Sequence, residues 1–503
     1  MLFIFSACGK FLNVQPHDRL TKEQVISSEQ GINMVLNGIY LNMAQGNLYG
    51  ANLSITILEA LAQRWDIENT ASALHYFARY DFTSDQERRA ERENANMWES
   101  LYVQALGVND FMVLLDNTPT SIIPQHRQDW LRGEALALRA FYHFDILRIW
   151  GPVPENIYTT EGFMPYNNSP TGGLAPLKKA DTILELIMAD LYEAERLLSN
   201  DPVISRGVDT TITFDQAIDF YFSNRNYRMN YFAIKALQAR VYLWKASNPN
   251  ALNRMQLYQR AEAAAREVIE RGGRHFPWIS PNDIQTGSNP DRIFSTEIIF
   301  GIRNRDMYSR FDRLFAMSVS VQNRLAPRAD RLRQTFGIGI EEDDFRYFPL
   351  WRESGGDEGR EFRKYMRPND RGTTNVTEAA RRRLRRTEFF QPLIRISEMY
   401  YIIAEARMEQ GFPREAIWDT YMHPVLRARN IALASGEPKL ENRDLRVEIT
   451  REYQKEFWGE GQLFFYYKRL NMVNDIPDAK HANAMMTGVN FRLPIPEAEL
   501  ISR

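Results

Sequence analysis

The chain holds one cysteine, Cys8, and its setting points to covalent chemistry at the N-terminus. Leu2-Phe3-Ile4-Phe5 and the small pair Ser6-Ala7 precede it. Apolar residues, two small residues and then Cys form the pattern of a lipoprotein cleavage site. The small residues fit the peptidase pocket, and the thiol accepts a lipid whose acyl chains tether the chain to a membrane. A buried or incidental N-terminal cysteine is the competing reading. A lone cysteine excludes an intramolecular disulfide, a cysteine-rich zinc site and an iron–sulfur cluster.

Catalytic groups are harder to assemble. His17, His75, His126, His143, His275, His423 and His481 fall at no metal-ligand spacing, so neither metal nor cofactor is expected. His143 lies among aromatic residues of a helix and reads as a satisfied core histidine. The sequence has no phosphate-binding glycine loop, no H-E-x-x-H and no G-x-S-x-G; Gly337-Ile338-Gly339 is a lone G-x-G. Glu341-Glu342-Asp343-Asp344 could supply paired carboxylates for glycoside hydrolysis, although four adjacent acids more often form a solvated loop or a calcium-tolerant patch. Arg381-Arg382-Arg383-Leu384-Arg385-Arg386 could meet phosphate. With 62 Lys plus Arg against 64 Asp plus Glu, a surface helix balanced by nearby acids fits that run better than a nucleic-acid face. No catalytic residue is assigned.

The aromatic residues outside the clean helical periods offer binding chemistry. Sugar rings present apolar C–H faces, so their sites stack them on Trp or Tyr and hold the hydroxyls with Asp, Asn or Arg. Trp65, Asp66, Tyr76, Tyr80, Trp278, Tyr308 and Phe311 are the candidate ligand-binding residues on this ground. Their competing role is ordinary core.

The elements that must position them are mostly helical. The 503 residues are 44% hydrophobic and 25% charged, as in a globular protein, and no apolar run approaches the roughly 18 residues of a membrane span. Spacing predicts helices near 96–116, 127–149, 180–199, 230–246, 255–271, 396–410, 413–430 and 445–458. A further helix follows Thr21 as N-cap. Gly151-Pro152-Val153-Pro154 stops the clearest of them. Between 272 and 395 long periods give way to Gly, Asp, Arg and aromatic residues, with one strand candidate from Glu297 to Ile302. Ala137-Leu138-Arg139-Ala140-Phe141-Tyr142 resembles Ala236-Leu237-Gln238-Ala239-Arg240-Val241-Tyr242, and a looser echo runs from Met399 to Ala406. Each is followed by a second alanine-bearing helix, which is the logic of tetratricopeptide hairpins.

Seven blocks in order along the chain resemble the SusD/RagB family of outer-membrane nutrient-binding lipoproteins. They are Cys8-Gly9-Lys10-Phe11-Leu12 through Pro16; Leu36-Asn37-Gly38-Ile39-Tyr40; Ala135 to Pro154; Glu297-Ile298-Ile299-Phe300; Arg395 to Ala406; Arg451 to Arg469; and Pro494-Ile495-Pro496. Gln462-Leu463 departs from the usual pattern of the sixth block. The resemblance implies a mainly α, tetratricopeptide-like helical-repeat scaffold with an irregular, loop-rich subdomain containing short strands. It divides the chain into a signal remnant (1–8), a tether (9–22), an N-terminal helical region (23–271), an irregular insertion (272–395) and a C-terminal helical region (396–503).

It also implies a non-catalytic protein, lipid-anchored at Cys8 on the outer membrane and exposed at the cell surface. Such a protein captures oligosaccharides for a TonB-dependent, SusC-like transporter, with no nucleic-acid partner. A peptide ligand is the alternative. An α-helical glycosidase, needing two carboxylates roughly 5–10 Å apart, and a purely structural repeat adaptor are the competing classes. The family has no shared ligand motif, so the aromatic set above stands on its own argument.

Overall fold

A computed structural model describes residues 22–501, apart from 83, 85–86, 159–160, 171–173, 209–219, 286–288, 338–343, 354–359, 370–377, 432–439, 441–442, 474–475 and 477–490. Cys8, the signal remnant, the tether up to Thr21 and Glu341-Glu342-Asp343 therefore lie outside the described residues. In chain order the elements are α1 (Lys22–Ile26), α2 (Glu29–Asn42), α3 (Ile57–Leu61), α4 (Ala73–Ala78), α5 (Arg89–Asp116), α6 (Gln125–Trp150), β1 (Met164–Pro165), β2 (Leu177–Lys178), α7 (Ala180–Leu197), α8 (Pro202–Arg206), α9 (Tyr231–Ala246) and α10 (Arg254–Glu267). They continue as α11 (Pro281–Gln285), β3 (Ile298–Arg303), α12 (Met307–Leu314), α13 (Ala329–Phe336), β4 (Trp351–Glu353), β5 (Arg360–Phe362), α14 (Glu378–Thr387) and β6 (Phe390–Arg395). The C-terminal part holds α15 (Ile396–Glu409), α16 (Arg414–Ile417), α17 (His423–Ala428), α18 (Leu445–Glu456), α19 (Gln462–Arg469) and α20 (Glu497–Ile501). The protein is mainly α-helical, with a small strand-bearing part.

The long helices stack in series. α5 packs on α6, α6 on α7, α7 on α9, α9 on α10 and α10 on α15. α6 is buried on every side from Leu131 to Trp150, save for half-buried Arg132, as befits the middle layer of such a stack. Ala135, Ala137 and Ala140 are fully buried and let neighbouring helices come close. Gly133 is the limit of this: a Cβ there would meet Leu198 Cγ at 2.9 Å. The charges that α6 carries inward are all answered. Glu134 accepts from Arg225 at 2.6 Å, Arg139 pairs with Asp190 at 2.6 Å, and Tyr49 donates to Asp145 at 2.9 Å. His143 takes its proton on Nδ1, facing the Arg139 carbonyl, because Nε2 accepts from the Asn167 amide at 2.9 Å. Burial holds its pKa down, near 4, so it is a neutral core histidine.

Three expected helices are more finely divided than their spacing predicts, among them 255–271, which is α10 followed by a π-helical turn at Val268–Gly272. The first in the chain breaks at Ser27-Ser28, where Ser28 Oγ accepts from the Gly31 amide at 3.1 Å and caps α2. The segment 413–430 is α16, a π-helical turn at Trp418–Met422 and α17. Pro424 has no N–H to give to a continuous α-ladder, and the wider turn accommodates it.

Among the described residues, strands form three two-stranded antiparallel sheets, β1 with β2, β3 with β6 and β4 with β5. β3 covers the expected strand. Its pairing with β6 means that the irregular stretch leaves the helical stack and returns beside its own start, feeding straight into α15.

The recognisable sequence blocks meet in a buried ion-pair network. Glu456 of α18 accepts from Arg346, Arg395 and Arg429. Arg429 also pairs with Glu297 at 2.6 Å, Arg395 with Glu460 at 2.8 Å, and Arg346 with Asp344 at 2.8 Å and Glu452 at 2.7 Å. Nearby, Arg240 pairs with Glu398 and Arg469 with Glu405, each at 2.6 Å. Asp344, the described member of the acidic run, is thus an internal ion-pair partner and not part of a solvated patch. Lys468 Nζ donates to the carbonyls of Ile149 at 3.3 Å and Gly151 at 2.8 Å. It thereby closes the C-terminal end of α6, where Pro152 prevents another turn.

One buried acid lacks such company. Glu59 accepts from the Gly461 amide at 2.9 Å, but Arg64 stands 3.7 Å away. Burial pushes its carboxyl up from 4.5 to about 7, against Arg64 and the Gly461 amide. Between these values the folded chain binds more protons than the unfolded one. Its contribution to stability is therefore full below about pH 4.5 and is lost as pH rises through 7. Glu59→Gln should gain up to about 3 kcal/mol on the parent between pH 4.5 and 8. Thermal unfolding at both pH values checks this; a pH-independent difference would mean that Glu59 is ionised throughout.

Candidate ligand-binding site

A cavity of about 590 Å³ opens between α2, the segment 220–228, the end of β3 and the last turn of α14. This is within the range of small-ligand sites. The segment 220–228 is held from beneath. Asn224 adopts φ +52°, a left-handed conformation that Asn tolerates, and starts a 3₁₀ turn at Arg225–Tyr227. Arg225 is fixed by Asp201 at 2.8 Å and Glu134 at 2.6 Å. Asn230 donates to the Arg225 carbonyl at 3.0 Å and to the Ile299 carbonyl at 2.9 Å, tying the turn to β3.

The wall carries rings and amides. Tyr227, half-buried, packs against Phe390 of β6 with centroids 4.2 Å apart and the rings tilted by 33°. Burial pushes its hydroxyl up, so it stays a neutral donor and acceptor. Phe220 lies under the Arg228 guanidinium at 3.6 Å. Arg228 donates to Asn37 Oδ1 at 2.8 Å, which leaves the Asn37 Nδ2 to donate elsewhere. Asn226 is 4% exposed and its Oδ1 has no hydrogen-bond partner. A second cavity of about 350 Å³ shares Asn226 and Arg386 with the first, and its Thr296 hydroxyl is likewise buried without a partner. Buried polar atoms without partners are costly, and these two belong to residues that line the cavities.

The rim is cationic. Arg303, Arg305 and Arg385 are exposed around the mouth. Asn304, buried between Arg303 and Arg305, donates to the Gly50 carbonyl at 3.2 Å and to Gln391 at 2.6 Å, which pins that corner. No acid is among the described lining residues.

The aromatic set expected from sequence is mostly elsewhere. Trp65 is fully buried. Its Nε1 donates to the Ile55 carbonyl at 2.9 Å, with Phe315 and Phe362 each 5.5 Å and Trp458 6.0 Å away. Phe311 is buried in the same aromatic cluster, through Phe315. Tyr80 is buried with its hydroxyl on the Leu61 carbonyl, and Tyr308 is buried against Phe389. As placed, these four rings offer no face to a ligand; hydrophobic burial claimed them. Asp66, Tyr76 and Trp278 are half-exposed. Tyr76 sits under Arg89 and Trp278 against Tyr400, and neither lines the cavity. In the arginine run, Arg383 and Arg386 are balanced by Asp283 at 3.3 and 3.1 Å, while Arg385 reaches the cavity. The sequence signal for the site is the run Ser223-Asn224-Arg225-Asn226-Tyr227-Arg228, amides and guanidines around one ring. No group of three or more His, Cys, Asp or Glu stands ready for a metal among the described residues.

Comparison with known proteins places the chain. A SusD-like family model, described as starch-binding associating with outer membrane, matches residues 10–208, and a SusD family model matches 349–495. SusD-like protein P38 of Formosa agariphila is 31% identical over 102 residues, 20% of this chain and 18% of its own length. The match thus spans under a fifth of that curated relative. A SusD superfamily crystal structure from Bacteroides thetaiotaomicron has TM-score 0.69 at 19% identity, covering 94% of this chain and 98% of its own. A SusD-like carbohydrate binding protein from Bacteroides vulgatus has TM-score 0.60 at 16% identity, covering 88% and 83%. A laminarin binding SusD-like protein has TM-score 0.60 at 17% identity, covering 94% and 98%. At these identities the solved structures share the fold.

Proposed function

For this chain, which belongs to the SusD/RagB family, we propose a non-catalytic role: capture of an oligosaccharide at the cell surface and its delivery to a TonB-dependent outer-membrane transporter. The observation that carries the reading is the cavity itself. Tyr227 supplies a ring, Asn37 and Asn226 supply amides for hydroxyls, and no carboxylate pair is among the described lining residues. Glycoside hydrolysis canonically uses such a pair, and the reading is of a site that binds a sugar without cutting it. No helix of the described residues is long and apolar enough to cross a membrane, and membrane attachment is assigned to acyl chains on Cys8. Asp66, Tyr76 and Trp278, with part of their surface in solvent, are candidates for contacts outside the cavity.

Calorimetry against oligosaccharides and peptides tests this. Tyr227→Ala should weaken oligosaccharide binding by roughly 1–3 kcal/mol, by analogy with other aromatic stacking platforms. Unchanged affinity would remove the cavity from the capture site. Binding of peptides alone would keep the delivery role and replace the ligand class.

A further inference from the structure

We propose that the captured oligosaccharide is anionic, carrying carboxylate or sulfate groups that the cavity rim recognises; this rests on the capture reading above. Five of the fourteen described lining residues are arginines and none of the fourteen is acidic, in a chain whose net charge is only −2. Two of the five are spent internally. Arg228 answers Glu134 at 3.3 Å, and Arg386 answers Asp283 at 3.1 Å and Asp291 at 3.3 Å. A third, Arg385, is also engaged, which leaves Arg303 and Arg305, both facing solvent. Arg303 and Arg305 have no carboxylate partner among the described residues, and Arg303 instead lies 5.6 Å over the Phe389 ring.

Elsewhere this protein pairs its arginines densely, as the Glu456 network shows. Clustered guanidiniums without carboxylates repel one another, and an anion relieves that repulsion. The corner that presents Arg303 and Arg305 is also fixed before any ligand arrives, because Asn304 between them is buried and bonded on both sides. Guanidinium forks match carboxylate and sulfate oxygens in planar, two-point fashion. Acids within reach are few: Glu388 bears on Tyr227, and Asp306 is held by Arg310 at 3.1 Å. Inside the rim, Asn37 Nδ2, left over from the Arg228–Asn37 bond, is placed to donate to a sugar hydroxyl oxygen. The cavity thus pairs a hydroxyl-reading floor with an anion-reading rim.

The test compares ligands that differ only in charge, using the full chain. Oligogalacturonate is titrated against its methyl ester, and a carrageenan oligosaccharide against its desulfated form. The expected result is at least tenfold tighter binding of one charged member over its neutral counterpart, weakening as salt is raised. The pair that shows it identifies carboxylate or sulfate as the anion. The double variant Arg303→Gln, Arg305→Gln changes two exposed side chains and should erase that preference, so that charged and neutral members bind it alike. Equal binding of charged and neutral members, or a preference that survives the double variant, overturns the proposal. If neutral oligosaccharide binds and Tyr227→Ala weakens it, the capture reading stands and only the charge assignment falls. If no glycan of either kind binds, both fall.

Discussion

Replacing Trp65 by alanine should lower folding stability by about 3–5 kcal/mol, the usual cost of removing a buried tryptophan. The folded variant should bind ligand as the parent does. Trp65 is fully enclosed by Phe315, Phe362 and Trp458. Its loss opens a cavity between three rings and leaves the Ile55 carbonyl without its donor. Trp65→Phe should recover most of the packing and still lose that hydrogen bond, a penalty of about 1–3 kcal/mol. Denaturant unfolding and calorimetry on the same samples separate the two roles. Weakened binding at unchanged stability would return Trp65 to the ligand site.

That contrast shows what sequence can and cannot reveal here. Trp65 and Tyr227 both lie outside clean helical periods, and nothing local distinguishes them. Exposure is decided by what packs from afar: Trp65 meets rings from residues 315, 362 and 458, whereas Tyr227 has Phe390 behind it and a cavity in front. The helices were legible because their signals are local. Alanines at 135, 137 and 140 set close approach, and Gly151-Pro152 sets the stop, so α6 falls within two residues of its expected bounds.

β3 was legible and its partner was not. β6 contains Pro392, which argues against a strand by its missing donor. A two-stranded sheet tolerates it, opposite Gly301. Gly301 is needed there, since a Cβ would meet Gln391 O and the Phe390 ring at 2.5 Å. The site draws on four segments between residues 37 and 386, and its arginines resemble those of the core. Arg303 and Arg395 differ only in whether a carboxylate is folded against them.

Glu456 brings this to its sharpest consequence. Burial pushes its carboxyl up, but Arg429, Arg395 and Arg346 together pull it well below the ordinary carboxylate range. One carboxylate thus joins the end of β6, the end of α17, the loop before β4 and α18. Glu456→Ala should cost about 3–5 kcal/mol at neutral pH, because three guanidiniums then share too few partners in a fully buried place. Glu456→Gln should cost less, as it keeps the shape and part of the hydrogen bonding. The sign with pH follows from the lowered value. The stabilisation is full above about pH 4.5 and is lost as pH falls through the folded pKa. The gap between parent and Glu456→Gln should therefore be constant from pH 5 to 8, a range above both pKa values, and narrow steadily as pH falls below about 4.5. A gap that varied near neutrality would show a different group titrating. No gap at all would mean that the sequence blocks linked by this network contribute contacts the fold can do without.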